Sequence, residues 1–174
     1  TIAGSGIDPA VVLVATFAVV ILIGTFLLML PRAAPQDNPA GFLDALFTAT
    51  SATCVTGLIV RDTGTEWALF GQIVILALIQ LGGLGIMIFG TMFAILAGRS
   101  LTIGERLLAT QVLATGGIGG IARMVRFVIV STFAVEIAAA VAMYHMWTDM
   151  AAGRPGGPVF STLFHAVSAF CNAG

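Results

Sequence analysis

"LFTATSATCVTG" (residues 46–57) is repeated, in altered form, as "LFHAVSAFCNAG" (163–174). An offset of 117 pairs Leu46 with Leu163, Phe47 with Phe164, Ala49 with Ala166, Ser51 with Ser168, Ala52 with Ala169, Cys54 with Cys171 and Gly57 with Gly174. Seven of twelve positions are identical. Each copy has about three turns of small and apolar residues, then a short stretch closing on glycine. Twelve helical residues span about 18 Å at about 1.5 Å each. That is too short to cross a bilayer core of about 30 Å, but it suits a helix that enters from one side and stops partway. Non-helical backbone at that depth is tolerated only against protein or a water-filled cavity. The repeat therefore predicts two re-entrant segments.

The surroundings agree. Of 174 residues, 59% are hydrophobic and 9% charged, against about 25% charged in a typical soluble domain. Three uncharged or nearly uncharged runs have transmembrane length: 10–31, ending at Pro31; 68–98, whose strongly polar side chains are Gln72 and Gln80; and 127–147, which carries Glu136. The predicted architecture is an all-α integral membrane protein built from repeated span, pore helix, filter and span. Residues 10–98 form the first unit, 99–120 a cytoplasmic connector, and 121–174 a second unit that stops after its filter.

The net charge of −1 excludes a nucleic-acid partner, because nothing could neutralise a row of phosphates. The two cysteines occupy equivalent repeat positions and match neither a disulfide framework nor a zinc spacing. The first residues carry no charged n-region, so no signal peptide is expected. Arginine bias sets the orientation. The 99–126 stretch holds Arg99, Arg106, Arg123 and Arg126 against Glu105. The other side holds Arg32, Arg61 and Arg154 against Asp37, Asp44, Asp62, Glu66 and Asp149. This puts the connector and the N-terminus in the cytoplasm, makes both short helices dip in from outside, and sets Trp67 and Trp147 at the outer interface.

An extended stretch held in mid-membrane presents backbone carbonyls, which can replace the hydration shell of an alkali cation. Glycine supplies backbone angles closed to other residues, and the negative end of the preceding helix favours a cation. Cys54-Val55-Thr56-Gly57 and Cys171-Asn172-Ala173-Gly174 have this form. The plainer reading is a loop packed on the bundle, since Ala49, Ser51 and Ala52 are also the residues of close helix contacts in membranes.

"SATCVTGLIVRDTG" (51–64), then "GQIVILALIQLGGLGIMIFG" (71–90) and "FHAVSAFCNAG" (164–174), resembles the Trk/Ktr/HKT superfamily of potassium transporters, most of all the Ktr-type membrane subunit. The resemblance covers nearly the whole chain. It implies four such units around one pore with pseudo-fourfold symmetry, with one glycine per filter, here Gly57 and Gly174. Carbonyls from Cys54 to Thr56 and from Cys171 to Ala173 would line the ion path. It also implies K+ as the transported ion with sodium dependence open, no covalently bound cofactor, a bacterial cell-membrane location, a homodimer, and a cytosolic nucleotide-binding regulatory ring as partner. The chain holds about one and two-thirds units, so a piece of a longer subunit is expected.

Other residues carry bland and functional readings together. Glu136 is a structural hydrogen-bonding group first and an ion-path group second. Gly82, Gly83 and Gly85 read as close helix contacts before a hinge, with Gln80 bonded to a neighbouring short helix. His165 reads as a packing residue before a proton shuttle. Asp62 and Glu66 concentrate cations at the mouth or are ordinary solvated charges. Residues 101–122 form a short amphipathic helix and a flexible "TGGIGG" joint (115–120), serving as docking surface or simple loop. No catalytic constellation is present. The alternative to transport is a non-conducting membrane scaffold derived from a degenerate channel repeat.

Overall fold

The computed structural model describes residues 9–96, 118–150 and 155–173. Five helices account for most of them: α1 (Pro9–Leu28), α2 (Phe42–Thr53), α3 (Leu69–Leu96), α4 (Ile118–Met150) and α5 (Gly157–Cys171). No strand occurs among the described residues. α1, α3 and α4 each contain an apolar run long enough to cross a membrane: Val11–Leu28, Leu69–Gly90 and Val125–Met146.

Local chemistry explains the boundaries. α1 ends shortly before Pro31, whose ring cannot continue a helix. α2 opens at Gly41, where the Asp44 carboxylate accepts the Gly41 N–H at 3.3 Å. This one-sided cap also puts a negative charge at the positive end of the helix dipole. α5 opens with Pro158 in its first turn, where its missing N–H costs nothing.

The short helices lie among the long ones. α1 packs on α2, α2 on α3, α3 on α5, and α5 most extensively on α4. Along α2, Ala45, Ala49 and Ala52 are buried; their spacing puts them on one face, where small side chains let backbones approach. They meet Leu28 of α1 and Val74, Ile75, Leu78 and Ile79 of α3 in one apolar cluster, which Val167 and Cys171 of α5 join.

Two sequence expectations change here. Gly119 and Gly120 of the anticipated joint are helical, because α4 begins at Ile118. A cost of about 1 kcal/mol per glycine is small beside the bonding of a 33-residue helix. Trp67 does not sit at a lipid interface but is 1% exposed. The Ala68 N–H bonds to the Ala33 carbonyl at 3.0 Å, which draws the indole into the core. Gly71 permits that seam, since a Cβ there would collide with the Ala33 carbonyl oxygen. The remaining connector residues up to 117, including the expected amphipathic helix and docking surface, and the Trp147 side chain lie outside the described residues.

Candidate functional site

The site is built from the ends of α2 and α5. After α2, the Val55 N–H bonds to the Ala52 carbonyl at 3.3 Å and the Thr56 N–H to the Ser51 carbonyl at 3.0 Å. After α5, the Asn172 N–H bonds to the Ala169 carbonyl at 3.1 Å and the Ala173 N–H to the Ser168 carbonyl at 2.8 Å. Each pair is a Schellman closure, which satisfies the last helical carbonyls through one left-handed residue. That residue is Val55 in the first copy, with φ 57°, and Asn172 in the second, with φ 59°. They are repeat equivalents at the offset of 117.

This refines the predicted filter stretches. Cys54 has helical angles, φ −84° and ψ 0°, and Val55 is left-handed, so the first two positions are a helix-terminating turn. Backbone without helical or turn structure starts only at Thr56. Gly57 has φ 74°, the left-handed geometry its glycine was expected to supply. Ser51 ties helix to stretch: its Oγ donates to the Leu58 carbonyl at 2.6 Å and accepts from Thr56 Oγ1 at 2.9 Å. Gly174 lies outside the described residues.

The two turns face one another. Ser51 and Gly57 share a crevice of about 70 Å³ with Ser168 and Ala173. A larger cavity of about 370 Å³ opens beside it, lined by Gly57, Asp62, Thr63, Gln72, Phe164 and His165 among others. Cys171 is buried while Cys54 is exposed, and both are free thiols. His165 is half-buried, and its Nδ1 donates to the Ser161 carbonyl at 2.7 Å.

The loop between Gly57 and α3 is held by a residue the sequence did not single out. Arg61 is 7% exposed. Its Nη2 donates to the Asn38 carbonyl at 2.8 Å, its guanidinium lies 5.6 Å from the Trp67 ring centroid, and Asp44 and Glu66 stand 3.8 and 4.0 Å away. Asp62 and Glu66 are therefore not free mouth charges. Asp62 Oδ1 accepts from Gly64 N–H, Thr65 N–H and the Thr65 hydroxyl, and Glu66 Oε2 accepts the Asp62 N–H at 2.7 Å. An arginine four residues past Gly57, with Asp62 and Glu66 close behind it, was the available signal.

Gln80 does not bond to a short helix as expected. It faces Glu136 on α4, since its position on α3 turns it toward the third span. Glu136 is 1% exposed and does not line the cavity beside Gly57. Gly82 and Gly83 are close contacts, and Gly85 is an ordinary one, 3.6 Å from Phe17 at a built Cβ.

Three helices long and apolar enough to cross a membrane, packed with two shorter ones, mark a polytopic membrane protein. The cation transport protein family model, TrkH, matches residues 7–174, and the chain belongs to that family. It is 42% identical over 166 residues to the Ktr system potassium uptake protein B of Bacillus subtilis, covering 95% of this chain and 36% of that protein. It is 33% identical over 168 residues to the potassium/sodium uptake protein NtpJ of Enterococcus hirae, covering 97% and 37%. It is 34% identical over 169 residues to the Ktr system potassium uptake protein B of Vibrio alginolyticus, covering 97% and 36%. The chain thus spans little more than a third of the length of these relatives.

Proposed function

We propose that the chain is part of a potassium uptake subunit, in which the turns after α2 and α5 are two of the filters of one pseudo-fourfold pore. The carrying observation is that both turns have the same hydrogen-bond closure and meet at one crevice holding Gly57 and Ala173. Carbonyls of residues 54–57 and 171–174 replace the hydration shell of K+, with Na+ as competitor or co-ion. The negative ends of α2 and α5 lie at the cation path, the polarity a cation needs. Uptake is driven by the membrane potential, about 2.3 kcal/mol per charge per 100 mV, and no covalent chemistry or cofactor takes part.

The family match and the names of the relatives support this reading. The rest of the assembly follows the same family logic: further units complete the pore, two copies pair in the bacterial cell membrane, and a cytosolic nucleotide-binding ring docks beneath. The N-terminus is cytoplasmic.

The test is potassium uptake in a bacterial strain stripped of its own potassium transporters, using the full-length gene and its Gly57→Ser variant. Rescue at low potassium by the parent, with sodium leak or lost uptake in the variant, supports the filter at 54–57. A variant that matches the parent in both uptake and K+/Na+ preference overturns the site. No rescue by the parent, even with regulatory subunits co-expressed and protein present in the membrane, favours the scaffold.

A further inference from the structure

α3 runs between the two short helices, and two consecutive glycines at its middle face different neighbours. A Cβ on Gly82 would collide with the backbone of Thr53, meeting its carbonyl oxygen and lying 2.8 Å from its carbonyl carbon. A Cβ on Gly83 would lie 2.6 Å from Cys171 Sγ and 3.1 Å from Cys171 Cβ. Successive side chains on a helix point about 100° apart, so one level of α3 touches two partners at once. Thr53 closes α2 and Cys171 closes α5, so each contact falls where a filter turn begins. Gly90 on the same helix has nothing within 4 Å of its built Cβ. The second turn is also flanked by the buried Glu136 of α4, which lies beside Cys171 and faces Gln80 of α3.

We propose that Gly82 and Gly83 are positioning residues, Gly82 setting the first filter turn and Gly83 the second, so that α3 fixes the two turns relative to each other. This rests on the filter reading above. The two obstacles differ in kind. At Gly82 the obstacle is main chain, which no side-chain change removes. At Gly83 it is chiefly a thiol, which Cys171→Ala removes.

The experiment measures the ratio of K+ to Na+ uptake by the full-length protein, normalised to its amount in the membrane. The variants are G82A, G83A, G90A, C171A, G57S and the doubles G82A/C171A and G83A/C171A, each double read against C171A alone. Gly82→Ala and Gly83→Ala are expected to lower the ratio about tenfold or more, the equivalent of about 1.4 kcal/mol. Gly90→Ala should leave it unchanged. Adding Cys171→Ala should recover most of the loss in G83A and none in G82A. The proposal fails if G83A behaves like G90A, or if Cys171→Ala rescues both glycine variants equally. If G83A does not reach the membrane, the double decides: a selective, membrane-resident G83A/C171A supports the thiol obstacle, and its absence overturns it. A changed ratio in G57S with none in G82A or G83A sinks the positioning role and leaves the filter standing. No change in any of the three removes both.

Discussion

Val55 and Asn172 hold equivalent left-handed positions with unequal chemistry. Asparagine adopts such angles readily, whereas a β-branched residue there is a genuine outlier. The left-handed conformation costs an ordinary residue about 1–2 kcal/mol. Val55→Asn should therefore raise the thermal unfolding midpoint of the full-length protein in detergent, and Asn172→Val should lower it. Equal midpoints for parent and Asn172→Val would show that the second turn does not need this geometry. Arg61 gives a second residue-scale expectation. Its buried guanidinium serves a carbonyl, an aromatic face and two half-exposed carboxylates. Arg61→Ala should cost about 1.5–3 kcal/mol, the range for hydrogen bonds to charged groups. Arg61→Lys should recover only part of this, because an ammonium lacks the planar fork; thermal unfolding in detergent checks both. Val55 and Asn172 were expected as members of the two stretches but not as left-handed residues, and Arg61 was expected only as one charge in the orientation bias. The left-handed turn is a product of helix termination, and the burial of Arg61 depends on a loop folding back over it.

At the scale of elements, the glycines separate seams that can yield from seams that cannot. A Cβ on Gly24 of α1 would press on the Leu78 side chain at 2.7 Å, a flexible group able to shift. A Cβ on Gly71 of α3 would meet the Ala33 carbonyl, part of the main chain. Gly71→Ala should therefore destabilise more than Gly24→Ala, by about 1–3 kcal/mol or more, the usual cost of overpacking. Matching unfolding midpoints for the two variants would mean that the Ala33 loop moves freely. The expected short helix of twelve residues agrees with α2 in length; Asp44 caps its start, and Ala45, Ala49 and Ala52 form its buried face. In "QLGGLGIM" (80–87), Gly82 and Gly83 lie at close contacts, whereas Gly85 makes an ordinary one. Which glycine met which helix was not readable, since two adjacent positions differ only in the direction they face across the packed bundle.

For the whole molecule, orientation is the property that charge bias alone addresses. With both native cysteines replaced, Thr63→Cys at the wide cavity should react with a membrane-impermeant maleimide in intact cells. Arg123→Cys, exposed near the start of α4, should react only after permeabilisation. The reverse pattern would invert the topology. The amino-acid sequence by itself determined the membrane class, the three spans and the paired short helices. Those properties follow from run length, charge depletion and local capping, all of which act within one turn or one segment. The meeting of the turns after α2 and α5 at a shared crevice, the burial of Trp67, Arg61 and Glu136, and the pairing of Gly82 with Thr53 and Gly83 with Cys171 were decided only by tertiary structure. They depend on how helices far apart in the chain rotate about their axes to bury small residues against one another. No local pattern carries that rotation.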